Sequence, residues 1–85
     1  MTGDLKSYVG QWIEKAEEDL LVVHQLFDAE STALGTIGFH CQQAVEKFLK
    51  AFLIYHSIEP ERTHNLEFLL ERCAGIDSGF SELIF

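Results

Sequence analysis

The sequence is poor in proline, cysteine and basic residues. Its 85 positions include one proline, two cysteines and six lysines or arginines. No apolar run approaches the roughly 20 residues that a membrane-spanning helix needs. The N-terminus has Asp4 before Lys6 and no hydrophobic region after it, unlike a secretion signal. We therefore expect no membrane span, no signal peptide and a cytoplasmic location.

The charge balance is strongly acidic. Fourteen acidic residues against six basic ones give a formal net charge of −8. Such a charge repels phosphate backbones, and it argues against nonspecific binding of nucleic acid through a basic face.

The cysteines and histidines do not form a metal-binding pattern. Cys41 and Cys73 are far apart and each falls in a helical apolar stripe, which predicts two buried thiols rather than a disulfide. No histidine lies at zinc-ligand spacing from a cysteine or from another histidine. No glycine-rich phosphate loop is present either, so the sequence indicates no metal and no cofactor.

Apolar residues are abundant for so short a chain. Hydrophobic residues make up 47% of the sequence, whereas 85 residues fit one domain with a small core. Some apolar side chains should therefore cover a partner, and we expect a homodimer.

Hydrophobic periodicity predicts an all-α, up-and-down bundle of about four helices in a single domain, 1–85. The helices are expected at about 7–27, 36–57 and 64–73, with a partial helix from about 79 that looks truncated in the apolar tail Leu83, Ile84 and Phe85. Pro60 is expected to end the second helix and Thr63 to cap the third.

Steps of three and four residues mark the expected inward faces. On the first helix they select Val9, Trp12, Ile13, Ala16, Leu20, Val23 and Phe27; on the second they select Ile37, Cys41, Ala44, Val45, Phe48, Phe52 and Tyr55. Large apolar residues away from these faces are the predicted interface with another chain: Leu21, Val22, Phe39, Leu53 and Ile54.

Polar identities at fixed helical offsets carry a family resemblance. The stretch from Phe39 to Ala51 reads Phe-x-x-Gln-Gln-Ala-x-Glu-Lys-x-x-Lys-Ala, and Thr-His-x-Leu follows from Thr63 to Leu66. With Trp12, Ala16, Asp19 and Leu20 before them, these motifs resemble a HEPN domain over roughly residues 12–73.

The resemblance implies a bundle of four or five helices that is usually dimeric and often paired with a minimal nucleotidyltransferase. One branch of the family is regarded as a nucleotide- or substrate-binding subunit, and another consists of ribonuclease toxins from toxin–antitoxin pairs. The ribonuclease branch carries an arginine followed four to six residues later by a histidine. Neither Arg62 nor Arg72 has a histidine at that distance, so the sequence favours a non-enzymatic role. The alternatives are a ribonuclease toxin subunit whose arginine and histidine follow Phe85, and a structural dimer that binds no ligand.

The polar side of the second helix is the candidate site. Amide and ammonium donors there, together with the start of the third helix, could bind a phosphate or nucleotide: Gln42, Gln43, Lys47, Lys50, Thr63 and His64. The competing interpretation is that these residues form hydrogen bonds between helices or subunits. Glu46 and Lys50 are spaced for an exposed ion pair, and Asp19 should need Lys47 or Lys50 as a structural partner.

Overall fold

Helices make up the framework of the protein. The computed structural model describes residues 3–83, which form α1 (Gly3–Asp28), α2 (Leu34–Tyr55), α3 (Leu66–Ala74) and a 3₁₀ helix (Ser78–Leu83). No strand occurs within that range, and the predicted all-α class is confirmed. The 3₁₀ helix stands where a fourth α-helix was expected, and Ile84 and Phe85 of the predicted tail lie outside the described residues.

The long helices α1 and α2 form a hairpin that is the largest contact in the molecule. Ala16 of α1 and Ala44 of α2 are almost fully buried, as small residues are where two helix backbones approach closely. Asp4 in the first turn of α1 favours the helix start through the helix dipole, and α1 begins earlier than the expected position 7.

Both long helices end in the same way. Glu30 and Ser57 adopt left-handed backbone with φ of 52° and 62°. In each case the next amide bonds back to the carbonyl five residues earlier, Ser31 N to Leu26 O at 2.9 Å and Ile58 N to Leu53 O at 2.9 Å. This is the pattern of a Schellman cap, which satisfies carbonyls left free at a helix end.

Two predicted helix boundaries were wrong. The cap at Ser57 ends α2 at Tyr55, before Pro60 is reached. At the start of α3 the capping residue is Asn65, whose side chain accepts a hydrogen bond from Phe68 N at 3.0 Å. Thr63, the expected cap, instead accepts from Asn65 N at 3.1 Å in the turn before the helix.

The core that fixes α3 is small and lies between α2, α3 and the 3₁₀ helix. Its buried members are Leu49, Leu53, Leu69 and Cys73, with partly buried Phe52, Ile58, Leu66, Leu70 and Phe80 packed against them. Leu53 and Ile54 are 1% and 2% exposed, so their prediction as interface residues was wrong. Leu53 is covered by α3 and the turn after α2, whereas Ile54 lies beside Leu5 and Tyr8 of α1 and the same turn.

The facing of α2 also differs from the prediction. Ile37 and Ala44 are buried as expected, but Cys41, Val45, Phe48 and Tyr55 are exposed, and Phe52 is only half-buried. The side with Glu46 and Lys50 is the one that faces the neighbouring helices. Periodicity predicted the helical spacing of α2 correctly but assigned the wrong face to the interior, because both sides of this helix carry apolar residues.

On α1 the expected inward face is correct except at its end. Ala16 and Val23 are buried and Trp12 is half-buried, whereas Phe27 is 62% exposed. Phe27 lies in the last turn, where only the connection to α2 follows. Among residues 3–83, no helix combines the length and hydropathy needed to cross a bilayer.

Replacing Leu69 with alanine should unfold α3 from the helix hairpin. Leu69 is 0% exposed, and deleting a buried leucine side chain costs about 2–5 kcal/mol. Leu21→Ala is the matched control, because Leu21 is 56% exposed and its loss should change stability by less than about 0.5 kcal/mol. Urea unfolding followed by circular dichroism measures both, and equal destabilisation by the two variants would contradict the core assignment.

Candidate functional site

Asp19 of α1 is buried against two residues of α2. Its Oδ1 lies 2.8 Å from His40 Nδ1, and its Oδ2 accepts a hydrogen bond from Lys47 Nζ at 2.5 Å. The carboxylate side chain is 10% exposed, so the two contacts replace most of its hydration. Asp19 therefore has the lysine partner that its position in the sequence required.

These partners determine the protonation of Asp19. Burial alone raises the pKa of a carboxyl group, but the hydrogen bonds and charges of Lys47 and His40 outweigh it, and the pKa of Asp19 lies below 3.8. The group is thus an ionised carboxylate at neutral pH, held between α1 and α2.

Glu46 of α2 forms a second cluster of the same composition. Its Oε2 accepts from Lys50 Nζ at 3.4 Å, and its Oε1 lies 2.9 Å from Nδ1 of His64, just before α3. Glu46 is 2% exposed and Lys50 is buried with it, so the expected exposed ion pair is in fact internal. Lys50 also stands over the ring of Trp12, 5.4 Å from its centroid, and so reaches α1.

We call these two arrangements the carboxylate clusters: Asp19 with His40 and Lys47, and Glu46 with Lys50 and His64. Each contains one carboxylate, one lysine and one histidine, and each joins α2 to a different neighbour. Removing one member of a buried ion pair leaves the other uncompensated, at a cost of about 3–5 kcal/mol. The clusters consequently fix the side of α2 that faces inward.

The lysines of the predicted phosphate site belong to these clusters. Lys47 and Lys50 each have a carboxylate partner, with their side chains 20% and 8% exposed. Gln42 is exposed and Gln43 half-buried, and within the described residues neither side chain enters the clusters. The arrangement matches the competing interpretation, hydrogen bonds between helices, and phosphate binding there stays a prediction.

The other two predicted ligand residues lie just before the start of α3. Thr63 is half-buried and stabilises the turn before the helix. The side chain of His64 is 82% exposed, yet its Nδ1 reaches the buried Glu46. Its role in the structure is to tie the start of α3 to α2.

The thiols differ from each other. Cys73 is buried, donates to Leu49 O at 3.7 Å, and burial raises its pKa to about 11. Cys41 is exposed, so its prediction as a buried thiol was wrong. Among residues 3–83 no group of histidine, cysteine, aspartate or glutamate is arranged to hold a metal ion.

A long apolar stripe runs along the outside of α2. Its members follow one another at alternating steps of four and three residues: Leu34, Gly38, Cys41, Val45, Phe48, Phe52 and Tyr55. Leu34 is 73% and Tyr55 56% exposed, and only Phe52 of the large residues is half-buried. This spacing is the heptad pattern of helices that pack against another helix. We call this surface the exposed stripe.

A groove beside the stripe extends the apolar surface onto α1. It measures about 250 Å³ and is lined by Val9 and Ile13 of α1 and by Phe48, Ala51, Phe52 and Tyr55 of α2. Within α2 the charged residues are Glu46, Lys47 and Lys50, and all three lie in the carboxylate clusters. The exposed stripe and its groove are therefore free of charge on an acidic protein.

Sequence reasoning missed the two histidine contacts and the direction of the stripe. His40 precedes Lys47 by seven residues, which puts both on one side of α2, and this spacing was a usable signal for a shared partner on α1. The confinement of all charge to one side of α2 was a second signal. It could have shown that the opposite, wholly apolar side needs a cover of its own.

Comparison with known families agrees with the helical hairpin and its polar motif. The model of the HEPN domain matches residues 9–84, most of the chain, and the protein belongs to the HEPN domain family. No curated protein and no solved structure matches the chain.

The Asp19 cluster should make the free energy of unfolding depend on pH in the acidic range. Since the pKa of Asp19 is lowered by folding, its contribution is complete above the unfolded value of 3.8 and is lost as pH falls through the lower folded value. Asp19→Asn should destabilise the domain by about 3 kcal/mol at pH 6. Urea unfolding of both chains should show this difference shrinking toward pH 2.

Glu18→Gln is the control for this titration, because Glu18 is an exposed neighbour on the same helix. Its difference from the unmodified chain should stay small and flat with pH. A difference for Asp19→Asn that is equally large at pH 6 and pH 2 would contradict the ionised pair.

Proposed function

We propose that this HEPN domain is a dimerising interaction module that acts with a minimal nucleotidyltransferase, in the manner of a toxin–antitoxin pair. The observation that carries the first part is the exposed stripe. Large apolar side chains at helix-pairing intervals are unfavourable in water, and their burial against another helix stabilises an assembly. The second copy of the chain offers such a helix.

The acidic surface favours self-association through this stripe over any other side of α2. Two chains with a formal charge of −8 repel one another, so a shared surface must keep its charges apart. The stripe meets this requirement because the charged residues of α2 are turned inward. Leu21 and Phe39, the exposed residues of the predicted interface, remain available for a different partner.

The nucleotidyltransferase part rests on the resemblance of Phe39–Ala51 and Thr63–Leu66 to the family branch with such partners. Phe39 supports it, because this ring is 57% exposed and does not belong to the stripe. A homodimer formed through the stripe would leave Phe39 free for a second protein. The ribonuclease alternative has no such support, since His64 is engaged by Glu46 and no arginine stands at the required spacing.

Val45→Glu should convert the dimer to a monomer. Val45 is 44% exposed in the middle of the stripe, and a carboxylate there would be buried without a partner at the interface. Analytical ultracentrifugation over a concentration series should show the dissociation constant of the dimer raised at least 100-fold. Leu21→Glu is the matched control on α1 and should leave the dimer intact.

The opposite pattern would relocate the interface. Dissociation by Leu21→Glu with no effect of Val45→Glu would contradict the assignment to α2 and favour α1. A chain that is monomeric without any substitution would contradict the dimer itself.

Capture of the partner tests the second part. The full-length gene product, used as bait in native lysate, should retain a nucleotidyltransferase, and Phe39→Glu should abolish that retention while sedimentation still shows a dimer. Retention of RNA fragments in place of this partner would contradict the proposal and favour the ribonuclease branch. Calorimetric titration of the dimer with nucleotides, compared with Lys50→Ala, tests the predicted nucleotide site separately.

A further inference from the structure

The exposed stripe is asymmetric along its length. Its N-terminal half contains small residues, Gly38 and Cys41, whereas its C-terminal half contains three aromatic rings, Phe48, Phe52 and Tyr55. Val45 lies between the two halves and next to the midpoint of α2, which spans Leu34–Tyr55. A helix that packs on this stripe meets a narrow half and a bulky half.

Gly38 is not explained by contacts within the chain. A Cβ added at Gly38 would meet no atom within 4 Å, so no contact within the protomer requires this position to lack a side chain. Glycine inside a helix is unfavourable relative to alanine because it loses more backbone freedom on folding. A close approach from outside the protomer gives this glycine a function.

We infer that two copies of the chain pack α2 against α2 in antiparallel orientation, with the two-fold axis at Val45. This inference rests on the proposed dimer and adds its geometry. About an axis at position 45, Gly38 lies opposite Phe52 of the second copy. Cys41 and Leu34 lie opposite positions 49 and 56, one residue beyond its Phe48 and Tyr55. Each aromatic ring then meets a small or aliphatic residue.

Parallel packing fails the same test of fit. In a parallel pair every residue faces its own copy, so Gly38 would face Gly38 and leave a gap, while the three rings would crowd at the other end. The antiparallel pair fills both ends equally. It also places the two α2 dipoles in opposite directions, which is the favourable electrostatic arrangement.

The size of the surface suits a second copy. With a rise of about 1.5 Å per residue and a width of about 10 Å per helix, α2 and the groove on α1 present a face of roughly 33 by 20 Å. A face of this size is of the same order as the roughly 800 Å² per partner that stable complexes bury. The absence of charge from the stripe lets two acidic chains meet there.

Disulfide trapping measures the orientation. In a Cys41→Ser background, Val45→Cys should cross-link nearly completely on mild oxidation, because each position 45 faces its own copy. Leu34→Cys and Tyr55→Cys should each give little cross-linking alone, and a mixture of those two chains should form the mixed disulfide. Non-reducing electrophoresis gives the yields.

Self-cross-linking of Tyr55→Cys at the level of Val45→Cys would overturn the antiparallel orientation. Sedimentation of the same chains separates this result from failure of the proposed function. Dimers with the wrong cross-links refute the geometry alone, whereas monomers refute the dimer and the geometry together.

Gly38→Ala gives a second readout that needs no oxidation. A methyl group in the path of Phe52 from the second copy should weaken the dimer at least 10-fold, although alanine favours the helix. Gly10→Ala is the matched control, because Gly10 lies in α1, off the stripe, and its added Cβ would also meet nothing within 4 Å. Equal dimer affinity for the two variants would overturn the close approach at Gly38.

Discussion

Two carboxylates buried between helices determine how this domain is assembled. Asp19 and Glu46 would be costly to remove from water alone, and each is kept by a lysine and a histidine that lie within 3.4 Å. Three of the six residues in these clusters are the charged residues of α2. Their pairing turns one side of α2 toward α1 and α3, and the opposite side is left to the surface.

The arrangement reverses the usual distribution on an amphipathic helix. Charge lies on the inner side of α2 and an apolar stripe lies on the outer side, so the protomer alone does not satisfy both sides. In the small core of Leu49, Leu53, Leu69 and Cys73, α3 covers one side of the C-terminal half of α2. The proposed self-association would cover the remainder, so the fold and the proposed function would both follow from the same pairing.

Periodicity was enough to predict three helices and the all-α class, because apolar residues recur at helical intervals on each of them. It was not enough to orient α2. Val45 and Phe48 on one side and Leu53 and Ile54 on the other are equally apolar, and spacing cannot say which pair a neighbouring helix covers. The caps were missed for a local reason, since left-handed backbone at Glu30 and Ser57 has no glycine to mark it.

The candidate site was predictable as a set of residues and not as a set of contacts. The motif around Glu46, Lys47 and Lys50 is visible in the sequence, and so is the need of Asp19 for a cation. Three of the four partners lie 18–28 residues from their carboxylate in sequence, so these contacts depend on the relative position of the helices. That position is set by packing, which no local pattern records.

The carboxylate clusters also act as register marks for the helix hairpin. Apolar faces tolerate a slide of one helix past another, because one aliphatic contact can replace the next at little cost. A shift of α2 by one turn, about 5.4 Å, would instead carry Lys47 and His40 away from Asp19 and strand the carboxylate in the interior. Polar contacts of modest net stabilisation thereby select one alignment among several that hydrophobic packing alone would allow.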